Sequence, residues 1–134
     1  MFKLDPILEK DTIFLGDLSL SRVLLMNNSL FPWLILVPRK ENLSEIIDLS
    51  PRDSEVLLSE IRYLSLSFKK LFNPTKLNVA ALGNQVKQLH VHVIARFEND
   101  QAWPNPVWGY DKVLYTDEQL DKIVTRLKAT VFEL

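Results

Sequence analysis

Cysteine is absent from this chain of 134 residues, so it can form no disulfide, no thiolate metal site and no thiol nucleophile, a composition that suits a reducing compartment. Glycine is scarce, and none of the three (Gly16, Gly83, Gly109) belongs to a GxGxxG or GxxxxGKS/T pattern. The two commonest phosphate-cradling loops are thereby excluded. Neither sign of charge dominates: 16 basic residues oppose 17 acidic ones, for a net charge of −1. No bulk field attracts nucleic acid or an anionic membrane. No apolar run approaches the ~20 residues that span a bilayer. The opening segment carries Asp5 and Glu9 where a signal peptide needs an apolar stretch. These absences lead us to expect a cytoplasmic protein with neither membrane nor nucleic-acid partners.

What remains is ordinary for a globular protein: 47% apolar and 25% charged residues, in a length that fits one domain, 1–134, with a core of its own. Residues 4–10 read as a short helix or turn, and residues 12–18 and 20–26 as strands, with Asn27-Asn28-Ser29 as turn chemistry. Trp33-Leu34-Ile35-Leu36-Val37 is a continuous apolar strand closed by Pro38. Ser50 and Pro51 then open a helix as N-cap and first helical residue. Leu57, Ile61, Leu64, Phe68 and Leu71 make a single helical stripe before Asn73-Pro74 stops it, and core packing is the plain reading of that stripe. Residues 77–82 and 89–95 are two more strands. Thr116-Asp117-Glu118-Gln119 has capping-box form ahead of an amphipathic helix through Leu120, Ile123, Val124, Leu127 and Val131. Strands and helices do not alternate regularly, so the fold class is α+β: an antiparallel sheet of about five strands, one long helix and a C-terminal helix.

Both histidines fall in Gln88-Leu89-His90-Val91-His92-Val93-Ile94. On a strand, Gln88, His90 and His92 share one face, and Leu89, Val91, Val93 and Ala95 share the other. Four accounts fit a polar row on an apolar strand. The histidines are satisfied core residues, or two ligands of a metal site that lacks a third histidine and any cysteine. Alternatively they serve acid–base chemistry beside a nucleophile that no GxSxG elbow identifies, or one of them is itself a nucleophile toward phosphorus.

Gln88 to Ile94 resembles the signature of the histidine triad (HIT) superfamily, H-φ-H-φ-H-φ-φ, with Gln in place of the first His. The flanks are similar too. Gly83-Asn84-Gln85-Val86-Lys87 resembles the Gly-Gln-Ser/Thr-Val-x segment before the triad, and Ala95-Arg96 resembles the Pro-Arg or Gly-Arg after it. Upstream, residues 34–38 and the stretch from Asn42 to Ser50 resemble the family's strand, turn and long helix. The likeness spans roughly residues 12–98, and the chain is similar to bacterial HIT-domain and diadenosine polyphosphate hydrolase-like proteins. Residues 99–134, with a Trp/Pro-rich segment and the last helix, lie beyond it.

The resemblance implies a homodimer that needs no metal or cofactor and cleaves or transfers at the α-phosphorus of a nucleotide. By the same resemblance His90 is the nucleophile, forming a nucleotidyl-histidine, and His92 contacts the phosphate and assists the leaving group. Asn84 and Gln85 donate to phosphate oxygens, and Gln88 orients His90 through its carbonyl and supports it with its side chain. Gln88 cannot become cationic, which removes one proton carrier. Asn27 matches a ribose-binding position, with a plain turn role as the alternative. Trp33, where the family has a histidine, either stacks on a base or packs in the core. The segment from Trp103 to Tyr110 reads as a lid, a dimer contact or sheet cover. A nucleotide-binding module without turnover is the competing expectation.

Overall fold

The structure, a computed structural model, describes all 134 residues. Its elements run α1 (Pro6–Asp11), β1 (Thr12–Asp17), β2 (Ser21–Met26), β3 (Trp33–Pro38), a single 3-10 turn (Ile46–Asp48), α2 (Pro51–Phe72), β4 (Lys76–Ala80), β5 (Val91–Arg96) and α3 (Asp117–Val131). The five strands form one antiparallel sheet in the order β1-β2-β3-β5-β4. This is the α+β architecture the sequence led us to expect.

The local signals act as they should. Ser50 Oγ accepts from the Asp53 N–H at 3.1 Å, Pro51 takes the first turn, and Asn73 ends α2 in a left-handed conformation. Thr116 and Gln119 close a reciprocal capping box on α3. A buried carboxylate then ties helix to sheet: Glu60 of α2 accepts from the Leu20 and Ser21 N–H groups at 2.9 and 3.1 Å. Gly16 sits at a bulge in β1, where an added Cβ would stand 2.7 Å from the tip of the Phe132 ring, so a side chain there would have to push that ring aside at the end of α3.

Every residue of β3 and β5 is buried, because both faces of the sheet are covered. One face carries Leu34, Leu36, Val91, Val93 and Ala95 against Leu57, Leu64 and Phe68 of α2 and Leu127 and Val131 of α3. The other carries Trp33, Ile35, Val37 and Ile94, and is roofed by Leu8 of α1, Phe31, Val86 and the segment holding Ala102 and Val107. The pleat therefore sends Leu89, Val91, Val93 and Ala95 toward α2, as their alternation requires, and leaves the histidines on the opposite side. No helix is long and apolar enough to cross a membrane.

Candidate functional site

His92 is the second residue of β5, and His90 stands one residue before the strand begins. The sequence places a strand over residues 89–95, but the ladder starts at Val91. The preceding main chain is committed elsewhere: the Leu89 N–H donates to the Leu43 carbonyl at 2.9 Å, and the Gln88 carbonyl receives a histidine ring. The two imidazoles nevertheless meet edge to face, centroids 4.9 Å apart, with only 5% and 3% of their surfaces exposed.

Their protons are placed in opposite senses. His90 Nδ1 donates to the Gln88 carbonyl at 2.7 Å. Its unprotonated nitrogen is therefore Nε2, which has no hydrogen-bond partner in the chain and is not sealed from solvent. His92 is the reverse. The Trp33 indole N–H, which can only donate, gives its hydrogen to His92 Nδ1 at 2.9 Å. The proton of His92 is thus on Nε2, facing the Leu82 carbonyl at 3.3 Å. Burial first, then the neighbouring His90, pulls the His92 pKa down from 6.5 to about 4, against the opposing hydrogen bond to Leu82.

That shift has a measurable consequence. Between pH 6.5 and about 4 the unfolded chain protonates this residue and the folded one does not, so stability is full above pH 6.5 and falls on acidification. At pH 4.5 the loss amounts to about 2.5 kcal/mol, at 1.36 kcal/mol per pH unit of mismatch. Urea unfolding across this window should show that slope in the native protein and a flatter one in His92→Gln. Equal slopes would contradict a buried, neutral His92.

Two clefts meet at His90. A polar one of about 410 Å³ is lined by Ser44, Glu45, Lys87 and Gln88. A more apolar one of about 390 Å³ is lined by Ile7, Leu8, Asp11, Met26, Trp33, His92 and Trp108. Asn84, Gln85 and His90 belong to both. Gly83 makes this junction possible: an added Cβ would lie 2.6 Å from the Val86 carbonyl oxygen and 3.2 Å from His90 Cε1.

Five of the six residues singled out in the sequence therefore converge: Asn84, Gln85, Gln88, His90 and His92. Asn27 does not. Its Oδ1 accepts from the Tyr115 N–H at 3.0 Å, and the acidic residue in the cleft is Asp11, whose carbonyl accepts from the Asn27 N–H at 3.1 Å. Gln88 meets His90 through its carbonyl alone, since both ends of its side chain hold the backbone of Lys3 and Asp5. Trp33 is buried, and its indole is spent on His92. Trp108, one of the segment's two tryptophans, stands in the cleft wall 5.0 Å from His92. Nothing in the local sequence marks Asp11 for the cleft, whereas Trp108 belongs to the segment for which a lid is one of the readings. No group of three or more His, Cys, Asp or Glu side chains is placed to hold a metal ion.

The segment bearing Trp108 is anchored by Arg96. Its guanidinium donates to both Asp100 oxygens (2.8 and 3.1 Å), to Asn78 Oδ1 (2.8 Å) and to the Asn105 carbonyl (2.7 Å). Burial alone would raise the Asp100 pKa, but Arg96 and the N–H groups of Phe97, Trp103 and Ala102 outweigh it and hold it at about 2.

Comparison with known proteins agrees with this geometry. The HIT domain model matches residues 8–99. A histidine triad protein from Marinobacter aquaeolei VT8 is 45% identical, with a TM-score of 0.96 over 100% of this chain and 98% of that one. Histidine triad proteins from Bradyrhizobium japonicum and Sinorhizobium meliloti 1021 are each 42% identical, with TM-scores of 0.94 and 0.93; they cover 97% and 96% of this chain and 98% and 96% of their own. No curated protein matches the chain in sequence.

Proposed function

The chain belongs to the histidine triad (HIT) family, and from that premise we propose that it binds a nucleotide derivative and cleaves it at the α-phosphorus through a nucleotidyl-histidine on His90. The observation that carries this reading is the free Nε2 of His90 at the junction of the two clefts, its tautomer set by the Gln88 carbonyl. The apolar cleft takes the nucleoside and the polar one the leaving group, with the α-phosphate between them. Asp11, rather than Asn27, is the carboxylate there that can accept from the sugar hydroxyls.

In the first step Nε2 attacks phosphorus, a P–N bond forms, and the bond from phosphorus to the leaving group breaks. The ring then carries positive charge, which the Gln88 carbonyl steadies through the Nδ1–H it already accepts. His92, kept neutral, offers its Nε2–H to a phosphate oxygen or the leaving group, and Asn84 and Gln85 offer side-chain amides where charge develops. Water or another acceptor then breaks the P–N bond and restores His90. Splitting one displacement into two in this way is the ordinary gain of covalent catalysis.

The test is to mix the protein with an AMP donor such as a diadenosine polyphosphate or an adenosine phosphoramidate, quench, and look for AMP on His90. Neither adduct nor product, despite measurable AMP binding, would favour a binding module without turnover. Gly83→Ala supplies a second check. Its Cβ must displace the Val86 carbonyl or the His90 ring, and a misplacement of order 1 Å costs roughly 100-fold in rate. Steady-state kinetics should show about that loss, and unaltered turnover would mean that Gly83 does not set the His90 position. We further propose a homodimer in the cytoplasm; the unpaired outer edge of β4, where Val79 is exposed, is consistent with pairing to a second copy.

A further inference from the structure

The reaction uses the carbonyl of Gln88 and leaves its side chain unexplained. That side chain reaches the other end of the chain: Nε2 donates to the Lys3 carbonyl and Oε1 accepts from the Asp5 N–H, each at 2.9 Å. The two groups flank Leu4, and they are the pair a neighbouring strand would engage. A primary amide can satisfy both because it presents a donor and an acceptor side by side, as a peptide group does. A neutral imidazole also has one of each, but on separate ring nitrogens.

This clip holds a functional wall. Phe2 and Leu4 pack against the core on the histidine side of the sheet, and α1 follows directly, bringing Ile7, Leu8 and Asp11 to the apolar cleft. Other hydrogen bonds of Asp5 are local, to Ile7 and Glu9, and the terminal amine pairs with Glu41. We propose that Gln88 is a positioning residue for the nucleoside: its amide fixes the N-terminal arm and thereby sets where Ile7, Leu8 and Asp11 stand in the cleft. The substitution at the triad's first position thus exchanges a group near the chemistry for control of the nucleoside wall. This rests on the nucleotide reading above, although the clip itself can be tested without any nucleotide.

The experiment uses full-length protein. Amide hydrogen exchange without ligand follows the Asp5 N–H, and calorimetric titration measures AMP affinity. Gln88→Met keeps the stem and removes both hydrogen bonds, so Asp5 should exchange at least about tenfold faster and AMP should bind about tenfold more weakly. Gln88→His, able to serve one partner, should fall between. Ile7→Ala should weaken AMP binding in the native background but add nothing in Gln88→Met, because the wall has already moved; a purely structural effect of Gln88 would leave the two losses additive. Unchanged Asp5 exchange, or equal cost of Ile7→Ala in both backgrounds, would overturn the proposal. If the native protein binds no AMP, the nucleotide reading falls and this proposal with it, whatever exchange says of the clip.

Discussion

His90→Ala will lower turnover by about 10⁴-fold or more while changing AMP affinity by no more than about threefold. The expectation follows from what the ring does and what else is within reach. Truncation removes the one histidine nitrogen there that is both unprotonated and without a hydrogen-bond partner, while Asn84, Gln85 and the apolar walls that would hold the nucleotide remain. No second nucleophile can take over: there is no cysteine, and Ser44, in the polar cleft, has no histidine hydrogen-bonded to it. A factor of 10⁴ is about 5.5 kcal/mol of barrier, within what loss of a covalent step costs. Steady-state kinetics with an AMP donor and calorimetry with AMP make the two measurements. Full activity in His90→Ala would end the nucleophile assignment, and loss of AMP binding in step with turnover would reduce His90 to a binding residue.

The largest stability effect will come from breaking the Arg96–Asp100 pair. Both side chains are almost wholly buried, so removing one partner leaves an isolated charge in the interior. Such losses run to about 3–5 kcal/mol, equivalent to roughly 10 °C or more in Tm for a chain of this size. Asp100→Ala should cost at least as much as Arg96→Met, because it also orphans the N–H groups of Phe97, Ala102 and Trp103. A loss below about 1 kcal/mol for either would show that the pair is dispensable. The pH dependence has its own sign. The folded pKa of about 2 lies under the usual 3.8, so this contribution is complete above pH 3.8 and disappears as pH falls through 2. It is separate from the His92 effect, which acts at higher pH.

Local signals in the sequence were reliable where a single element decides the outcome. Ser50, Pro51 and the Thr116–Gln119 box are satisfied within one turn of backbone, and the apolar run of β3 reads as buried because it is buried on both faces. The alternation around His90 and His92 likewise follows from the pleat. What could not be read is whatever depends on partners distant along the chain. Asp11 reaches the cleft because Thr12 pairs with Met26 across the first hairpin, so the end of α1 lies beside the end of β2, next to Asn27. Gln88 finds its side-chain partners 83 and 85 residues away. Trp108 sits in a stretch without helical or strand period, and the Arg96 cluster together with buried Ala102 and Val107 brings it over the sheet. The start of the strand at Val91 rather than residue 89 is hidden for a related reason. The main chain there serves Leu43 and the His90 ring, and no side-chain pattern records that.

The edge-to-face contacts among Trp33, His92 and Trp108, at 5.0 to 5.6 Å, have an optical consequence. Two of the three indoles touch the imidazole that takes up a proton on acidification, and both line the cavity a nucleotide would fill. Their near-ultraviolet absorption and emission are therefore coupled to occupancy and protonation at the same spot. The third, Trp103, lies 5.7 Å from the Arg96 guanidinium and reports on that loop instead. The molecule carries its own chromophores in the wall of the histidine cleft, with an internal reference beside its anchor.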